Sequence, residues 1–285
     1  MLPITPYPSD LSDQVAQALR EDIGAGDVTA ALIPVATQAR ASLLCRDSAV
    51  ICGVPWVEET FRQLDGQVLI QWNVIEGATV AADTRLCEIS GSARSILTAE
   101  RTALNFLQLL SGTATATQRY VQAVAGTSCR ILDTRKTIPG LRLAQKYAVR
   151  CGGGQNHRLG LYDRVLIKEN HIATAGSITA AVRTARTSAP GLTVEVEVET
   201  LAQLREALEA QADIILLDNF ELGMMHEAVT INRSHARRAL LESSGGVTLE
   251  RLRQIAQTGV DFISVGSLTK HVTAVDLSLR VQFVT

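Results

Sequence analysis

Apolar positions recur along this chain with two periods, helical and strand-like, and the way they interleave changes near residue 126. Leu11, Val15, Ala18 and Leu19 fall on one helical face, and Gly24 and Gly26, which tolerate positive φ, end that helix. Residues 41–45, 68–72 and 85–89 are short apolar stretches bounded by Asp, Gly or Asn and predict strands. Between residues 97 and 110 the apolar positions Leu97, Leu104, Leu107 and Leu110 return to helical spacing, with Arg101 inside the run. The first hundred residues therefore predict a small α/β domain with a helix leading out of it.

Beyond residue 126, strand-like and helix-like segments alternate at intervals of roughly 25 residues, the rhythm of repeated βα units. Six strands are expected, at 129–132, 164–167, 193–198, 213–217, 239–241 and 261–265. The helices between them carry start and stop signals. Thr200 with Gln203 reads as a capping box, Ser177 and Thr248 as N-caps, and Pro190-Gly191 and Gly259 as ends. Parallel strands with crossover helices form either an open doubly wound sheet or a barrel, and the barrel is the expectation taken here. The run 193–199 alternates strictly, Val194, Val196 and Val198 on one face and Glu195, Glu197 and Glu199 on the other. In a barrel wrapped by helices the valines face outward and the glutamates inward. An unpaired buried carboxylate is costly, so cations are expected beside them.

Composition narrows the function. With 285 residues, 46% of them apolar, the chain can bury roughly three quarters of its unfolded surface. Twenty-seven Lys and Arg against 29 Asp and Glu give a net charge of -2, so no global charge draws it to nucleic acid or to an anionic membrane. The five cysteines are odd in number and contain no C-x-x-C, which predicts free thiols and a cytoplasmic setting. The first ten residues hold three prolines and no signal-like apolar stretch, and no apolar run reaches the roughly 18 residues of a membrane span.

Charge is instead concentrated locally. From residue 130 to 168 there are nine Lys or Arg against two acids, and several of the cations end strands. Asp133-Thr134-Arg135-Lys136 follows the first expected strand, Lys168-Glu169-Asn170-His171 the second, Asp218-Asn219 the fourth, Ser243-Ser244-Gly245-Gly246 the fifth and Gly266-Ser267 the last. In α/β barrels these carboxyl ends build the active site, and the final two loops frequently bind phosphate through backbone N–H groups. Arg142, Lys146 and Arg150 are spaced as one solvated helix side. Cys151-Gly152-Gly153-Gly154-Gln155-Asn156-His157-Arg158 is neither a P-loop nor a dinucleotide fingerprint, but a glycine run lets backbone approach a ligand, with His157 and Arg158 placed to bind a carboxylate. The histidines show no metal-binding spacing such as H-E-x-x-H, and no zinc site is assigned.

Read together, Glu100-Arg101-Thr102-Ala103-Leu104-Asn105, Asp133-Thr134-Arg135-Lys136-Thr137, Gly152 through Arg158, Leu166-Ile167-Lys168-Glu169-Asn170-His171, Glu195-Val196-Glu197-Val198, Leu217-Asp218-Asn219 and Glu242-Ser243-Ser244-Gly245-Gly246 resemble, in order, the segments of the quinolinate phosphoribosyltransferase family. The resemblance runs from Glu21-Asp22 to Asp276-Leu277-Ser278-Leu279, nearly the whole chain. It implies an N-terminal α/β sandwich domain over 1–112, completed by the tail 273–285, and an incomplete, open α/β barrel of parallel strands over 113–272, in a homodimer. The implied reaction converts quinolinate and phosphoribosyl pyrophosphate to nicotinate mononucleotide, pyrophosphate and CO2, with Mg²⁺, in NAD biosynthesis. By the same resemblance Thr134, Arg135, His157, Arg158 and Lys168 hold quinolinate, with Arg101 reaching in from the partner subunit. Lys136 and Lys168 face the pyrophosphate, Glu197 and Asp218 face the ribose hydroxyls and Mg²⁺, and Ser244, Gly245, Gly246, Val265, Gly266 and Ser267 cradle the 5′-phosphate. Glu169, where many relatives carry Asp, is a mild departure.

Other readings are less well matched. An enzyme of the same fold linked to molybdenum transport, or one acting on nicotinate, has less use for so many arginines. An aldolase-type Schiff base at Lys168 needs a dry pocket and a depressed lysine pKa, at odds with its charged neighbours. A non-catalytic phosphometabolite-binding protein does not need the retained acids Glu197 and Asp218.

Overall fold

Leu11, Val15 and Leu19 do form one face of a helix, α1 (Leu11–Ile23), which buries Val15 and Leu19 and stops at Gly24 with φ 53°. The structure, a computed structural model, describes residues 6–284. The described residues group into two units, one of 6–118, 137–153 and 268–284 and one of 119–136 and 154–267.

In the first unit, after a single 3-10 turn (Ala30–Leu32), come β1 (Gln38–Cys45), β2 (Ala49–Val50), α2 (Val54–Leu64), β3 (Leu69–Trp72), β4 (Thr79–Val80) and β5 (Thr84–Ser92). The three strands expected here are β1, β3 and β5. The chain's last strand, β12 (Leu277–Val284), joins them antiparallel to β1, from Gln38 opposite Val284 to Cys45 opposite Leu277, giving the sheet order β12-β1-β5-β3. α3 (Ala93–Ala123) is 31 residues long, well beyond the expected 97–110. Its continuation Ser111-Gly112-Thr113-Ala114 is buried but small and partly polar, so hydrophobic spacing did not reveal it. α4 (Arg142–Cys151) also belongs to this unit, because Ala144, Tyr147, Ala148 and Cys151 pack with Val15, Trp56 and Phe106. A division at 112/113 assigns it to the barrel instead. Its expected solvated basic side does not hold for Lys146, which is 1% exposed.

The second unit carries the six expected strands: β6 (Arg130–Leu132), β7 (Val165–Ile167), β8 (Val194–Val198), β9 (Ile214–Asp218), β10 (Leu240–Ser244) and β11 (Phe262–Ser264). They are all parallel, in the order β6-β11-β10-β9-β8-β7. The crossovers are α5 (Glu169–Ala175), α6 (Ile178–Ser188), α7 (Leu201–Glu209), α8 (Leu222–Ser234) and α9 (Leu249–Gln257), with α10 (Ser267–Lys270) after β11. β6 and β7 do not pair with each other, so the barrel is open at that seam. There Gln155 makes a single parallel bridge to Leu132, its N–H donating to Ile131 O at 2.8 Å and its carbonyl accepting from Asp133 N at 3.1 Å.

Val194, Val196 and Val198 of β8 are fully buried beside α6 and α7, and Glu195 and Glu197 point the other way, as the alternation requires. Glu199 lies past the strand and is exposed. Ser177 caps α6 by accepting from Ala180 N, and Thr200 with Gln203 closes a capping box on α7. Thr248 occupies the N-cap of α9 without making the cap bond.

Candidate active site

Every parallel strand of the second unit ends on the same cavity, of about 510 Å³. Thr134, Arg135 and Lys136 enter it after β6, His157 and Arg158 from the bridging segment beside β6, Lys168 after β7 and Glu197 from β8. Asp218 and Asn219 come from the end of β9, and Ser244 and Gly245 from the end of β10. Residues from Thr134 to Gly245, spread over 112 positions of sequence, thus converge, because a parallel sheet places all its carboxyl ends at one rim.

Not every expected residue is part of this lining. Arg101 stands on α3 in the first unit with its side chain 60% exposed. Gly246, Val265, Gly266 and Ser267 lie at the ends of β10 and β11 without bounding the cavity. The N–H of Val265 is used on Leu132 O at 2.9 Å, so this residue shapes the strand end and offers no amide donor. Two glycines make room. Gly245 has φ 89°, and a Cβ there would run into the side-chain amide of Asn219. At Gly266 a Cβ would stand 2.9 Å from Cδ of Lys136, so its absence lets the lysine stem cross the end of β11.

The charges are arranged in two layers. At the mouth, Lys168 Nζ donates to Glu197 Oε2 at 2.7 Å, and Asp218 Oδ2 accepts from Asn219 Nδ2 at 2.9 Å. Arg135 has a buried Nε with no hydrogen-bond partner. Burial, then the neighbouring charge of Arg135, lowers the Arg158 pKa from its ordinary value. Two crowded guanidiniums with spare donors are a site awaiting anions.

Beneath them lies a buried set in which the inward Glu195 was expected and Glu242 was not. His157 Nε2 is 3.1 Å from Glu195 Oε2 and 3.6 Å from Glu242 Oε2, and Arg164 donates to Glu195 at 3.3 Å. His157 Nδ1 accepts from the Arg158 N–H at 2.8 Å. Both ring nitrogens are therefore engaged with the protein, and the ring faces the buried acids, whereas the resemblance gives it to a substrate carboxylate. Asp133, fully buried, fixes the same segment by accepting from His157 N at 2.9 Å and Asn156 Nδ2 at 2.6 Å.

The two buried glutamates divide the roles. Burial alone raises the Glu195 pKa, but the hydrogen bond and charge of His157, with Arg164, overcome it and leave the group below its ordinary value. Burial, then the adjacent Glu195, pushes Glu242 well above the carboxylate range. Neither Glu242 oxygen has a partner in hydrogen-bond geometry, although Ser264 and Glu195 stand close enough to act on its charge. Glu195 is thus the anion and Glu242 the neutral acid. An acid held protonated by the fold weakens stability as pH rises past its unfolded value, since only the unfolded chain then releases the proton. Glu242→Gln should accordingly be more stable than the parent at pH 7 to 8 and equal to it near pH 4, in urea unfolding at the two pH values; the reverse order would make Glu242 the charged partner.

Comparison with known proteins identifies the family. The family model described as quinolinate phosphoribosyl transferase, N-terminal domain, matches residues 27–111, and that for the C-terminal domain matches 113–280. A curated relative from Mycobacterium leprae, named nicotinate-nucleotide pyrophosphorylase [carboxylating], is 45% identical over 273 residues, covering 94% of this chain and 95% of its own. One from Bacillus subtilis, named as a probable enzyme of the same kind, is 40% identical over 262 residues, covering 92% and 90%. The solved nicotinate-nucleotide pyrophosphorylase of Francisella tularensis superposes with a TM-score of 0.94 at 48% identity, covering 99% of this chain and 100% of its own. Both parts match in order, and the curated relatives align along almost their full lengths, so the chain belongs to the quinolinate phosphoribosyl transferase family.

Proposed function

We propose that this protein transfers the phosphoribosyl group of phosphoribosyl pyrophosphate to quinolinate and releases CO2, the activity for which its relatives are named. The observation that carries the reading is the single rim on which Arg135, Arg158, Lys136 and Lys168 meet Glu197 and Asp218. A dianionic acid and a polyanionic sugar phosphate need many cations, while a cation-like sugar in the transition state needs carboxylates.

In this reading Arg135 and Arg158 clamp the two carboxylates of quinolinate and aim its ring nitrogen at the anomeric carbon. The N–C bond forms as the bond from that carbon to pyrophosphate breaks. Lys136 and Lys168 face the departing pyrophosphate, and Glu197 and Asp218 face the ribose hydroxyls and the positive charge that develops on the sugar. Ser244, Gly245, Gly246, Gly266 and Ser267 receive the 5′-phosphate. The alkylated ring nitrogen is then cationic and stabilises the electron pair left on carbon when the adjacent carboxylate departs as CO2; a proton completes the product. His157 acts through Arg158, whose N–H it accepts.

Glu197 and Asp218 offer hard carboxylate oxygens from neighbouring strands, a donor set that suits Mg²⁺ shared with substrate phosphates. Bound there, Mg²⁺ would neutralise charge on the leaving pyrophosphate. Arg101, exposed on α3, would complete the quinolinate clamp of a second copy in a homodimer. Five free thiols fit a cytoplasmic setting, and among the described residues no helix is long and apolar enough to cross a membrane.

Purified protein given Mg²⁺ and both substrates should release CO2 and pyrophosphate in equal amounts with the mononucleotide, and should not accept nicotinate. Turnover of nicotinate without CO2 would assign it to the one-carboxylate class. Binding of phosphoribosyl pyrophosphate without turnover would make it a binding protein.

A further inference from the structure

We infer that Cys52, Glu76 and Cys151 form a site for one soft divalent cation of the Zn²⁺ kind within the first unit, using none of the candidate active-site residues. Two sulfurs and a carboxylate oxygen lie within 4.8 Å of one another. They come from the residue before the N-cap of α2, the β3–β4 connection and the last turn of α4. Cys52 and Cys151 are 0% and 7% exposed and neither is in a disulfide. Zn²⁺ binds thiolate at about 2.3 Å and carboxylate at about 2.0 to 2.2 Å, so tetrahedral donors sit roughly 3.5 Å apart and these three need to close by about 1 Å.

A fourth group converges independently. Tyr147 is 1% exposed, and its hydroxyl has no partner in hydrogen-bond geometry, yet it stands near enough to Glu76 and Cys151 to influence both. Glu76 already accepts from Gly53 N at 2.9 Å and Val54 N at 3.0 Å, sealing the start of α2. Cys151 Sγ reaches it only at 4.0 Å. The pocket therefore gathers two thiols and a phenol around one carboxylate that is largely occupied, leaving more donors than acceptors, which is unfavourable in a buried place.

A cation reverses that imbalance. Two sulfur donors favour Zn²⁺ over Mg²⁺ or Ca²⁺, and the ligands give up their protons on binding. The other ionisable groups facing the site are Tyr7, packed edge-on to Tyr147 at 5.7 Å, Glu58 near Tyr7, and Arg150, 5.5 Å over the Tyr147 ring.

The test uses the full chain, reduced, with Co²⁺ as optical probe and Zn²⁺ as competitor. One Co²⁺ per chain should give a thiolate-to-cobalt charge-transfer band, which ions held only by Glu197 and Asp218 cannot produce, and Zn²⁺ should abolish it. Cys52→Ser and Cys151→Ser should each weaken binding at least about 100-fold, more than changes outside the ligand shell bring, and Cys129→Ser should not. Because the thiols must deprotonate to bind, affinity should fall as pH is lowered. Should the serine variants not fold, Zn²⁺ should still slow alkylation of Cys52 and Cys151, but not of Cys87 or Cys129, in the parent under mild denaturation. No charge-transfer band at stoichiometric Co²⁺, a band indifferent to both substitutions, or equal protection of all thiols would overturn the site. None of these readouts depends on the proposed transferase activity.

Discussion

Arg135→Ala is expected to raise the KM for quinolinate by about 100-fold or more while the KM for phosphoribosyl pyrophosphate changes less than about threefold. Charge-assisted hydrogen bonds contribute about 1.5 to 3 kcal/mol each, and a guanidinium gripping a carboxylate makes two. Even the low end gives about 3 kcal/mol, and each 1.4 kcal/mol is tenfold in affinity. The buried Nε of Arg135 has no protein partner to fall back on, so that donor is left for a ligand. Arg158 remains and keeps the loss finite. Arg135→Lys should recover little, since a lysine offers a point charge where the fork is needed. Initial rates with each substrate varied in turn decide the matter, and equal loss for both would remove Arg135 from the carboxylate clamp.

Glu195→Ala should be the most destabilising single change in the second unit, by about 3 to 5 kcal/mol, the range seen when one partner of a buried ion pair is removed. Glu195 is fully buried and holds both Arg164 and His157. Its carboxyl lies below its ordinary value in the folded state, so its contribution is present above the unfolded carboxylate range and is lost as pH falls through the folded value. Parent and variant should therefore converge in stability on acidification. Glu195→Gln, which keeps an acceptor, should lose less than the alanine. Urea unfolding at pH 7 and near pH 3 measures both effects; a loss below about 1 kcal/mol at pH 7 would mean that Arg164 and His157 find other partners.

The second unit was unusually legible in sequence because parallel strands are short apolar runs and their functional ends are charged. Six strands fell within a few residues of their expected places, and the mixed face of β8 was read in the right direction. The same habit of reading charge as a strand end hid Glu242. The expected strand stopped at Leu241, yet β10 runs on to Ser244, and its acid points into the barrel. Periodicity sees one dimension and cannot tell an inward acid from a loop residue. It also could not see which way His157 faces, since that depends on Glu195 thirty-eight positions away. The packing of α4 was hidden for a related reason: its apolar face matches a core built by Trp56 and Phe106, and chain order carries no trace of that. Cys52, Glu76 and Cys151 share no motif and meet only through tertiary packing.

The unzipped seam between β6 and β7 leaves two strand rims that could recruit a foreign strand. Each rim is only three residues long, too few rungs to template a ladder. Gln155 occupies one rim, and Arg164 and Lys168 bracket the other, where an incoming backbone would meet two cations. Lys168, proposed to face the anionic reactants, thus also helps Arg164 guard an open ring against self-association, so neutralising both should bring aggregation along with lost catalysis.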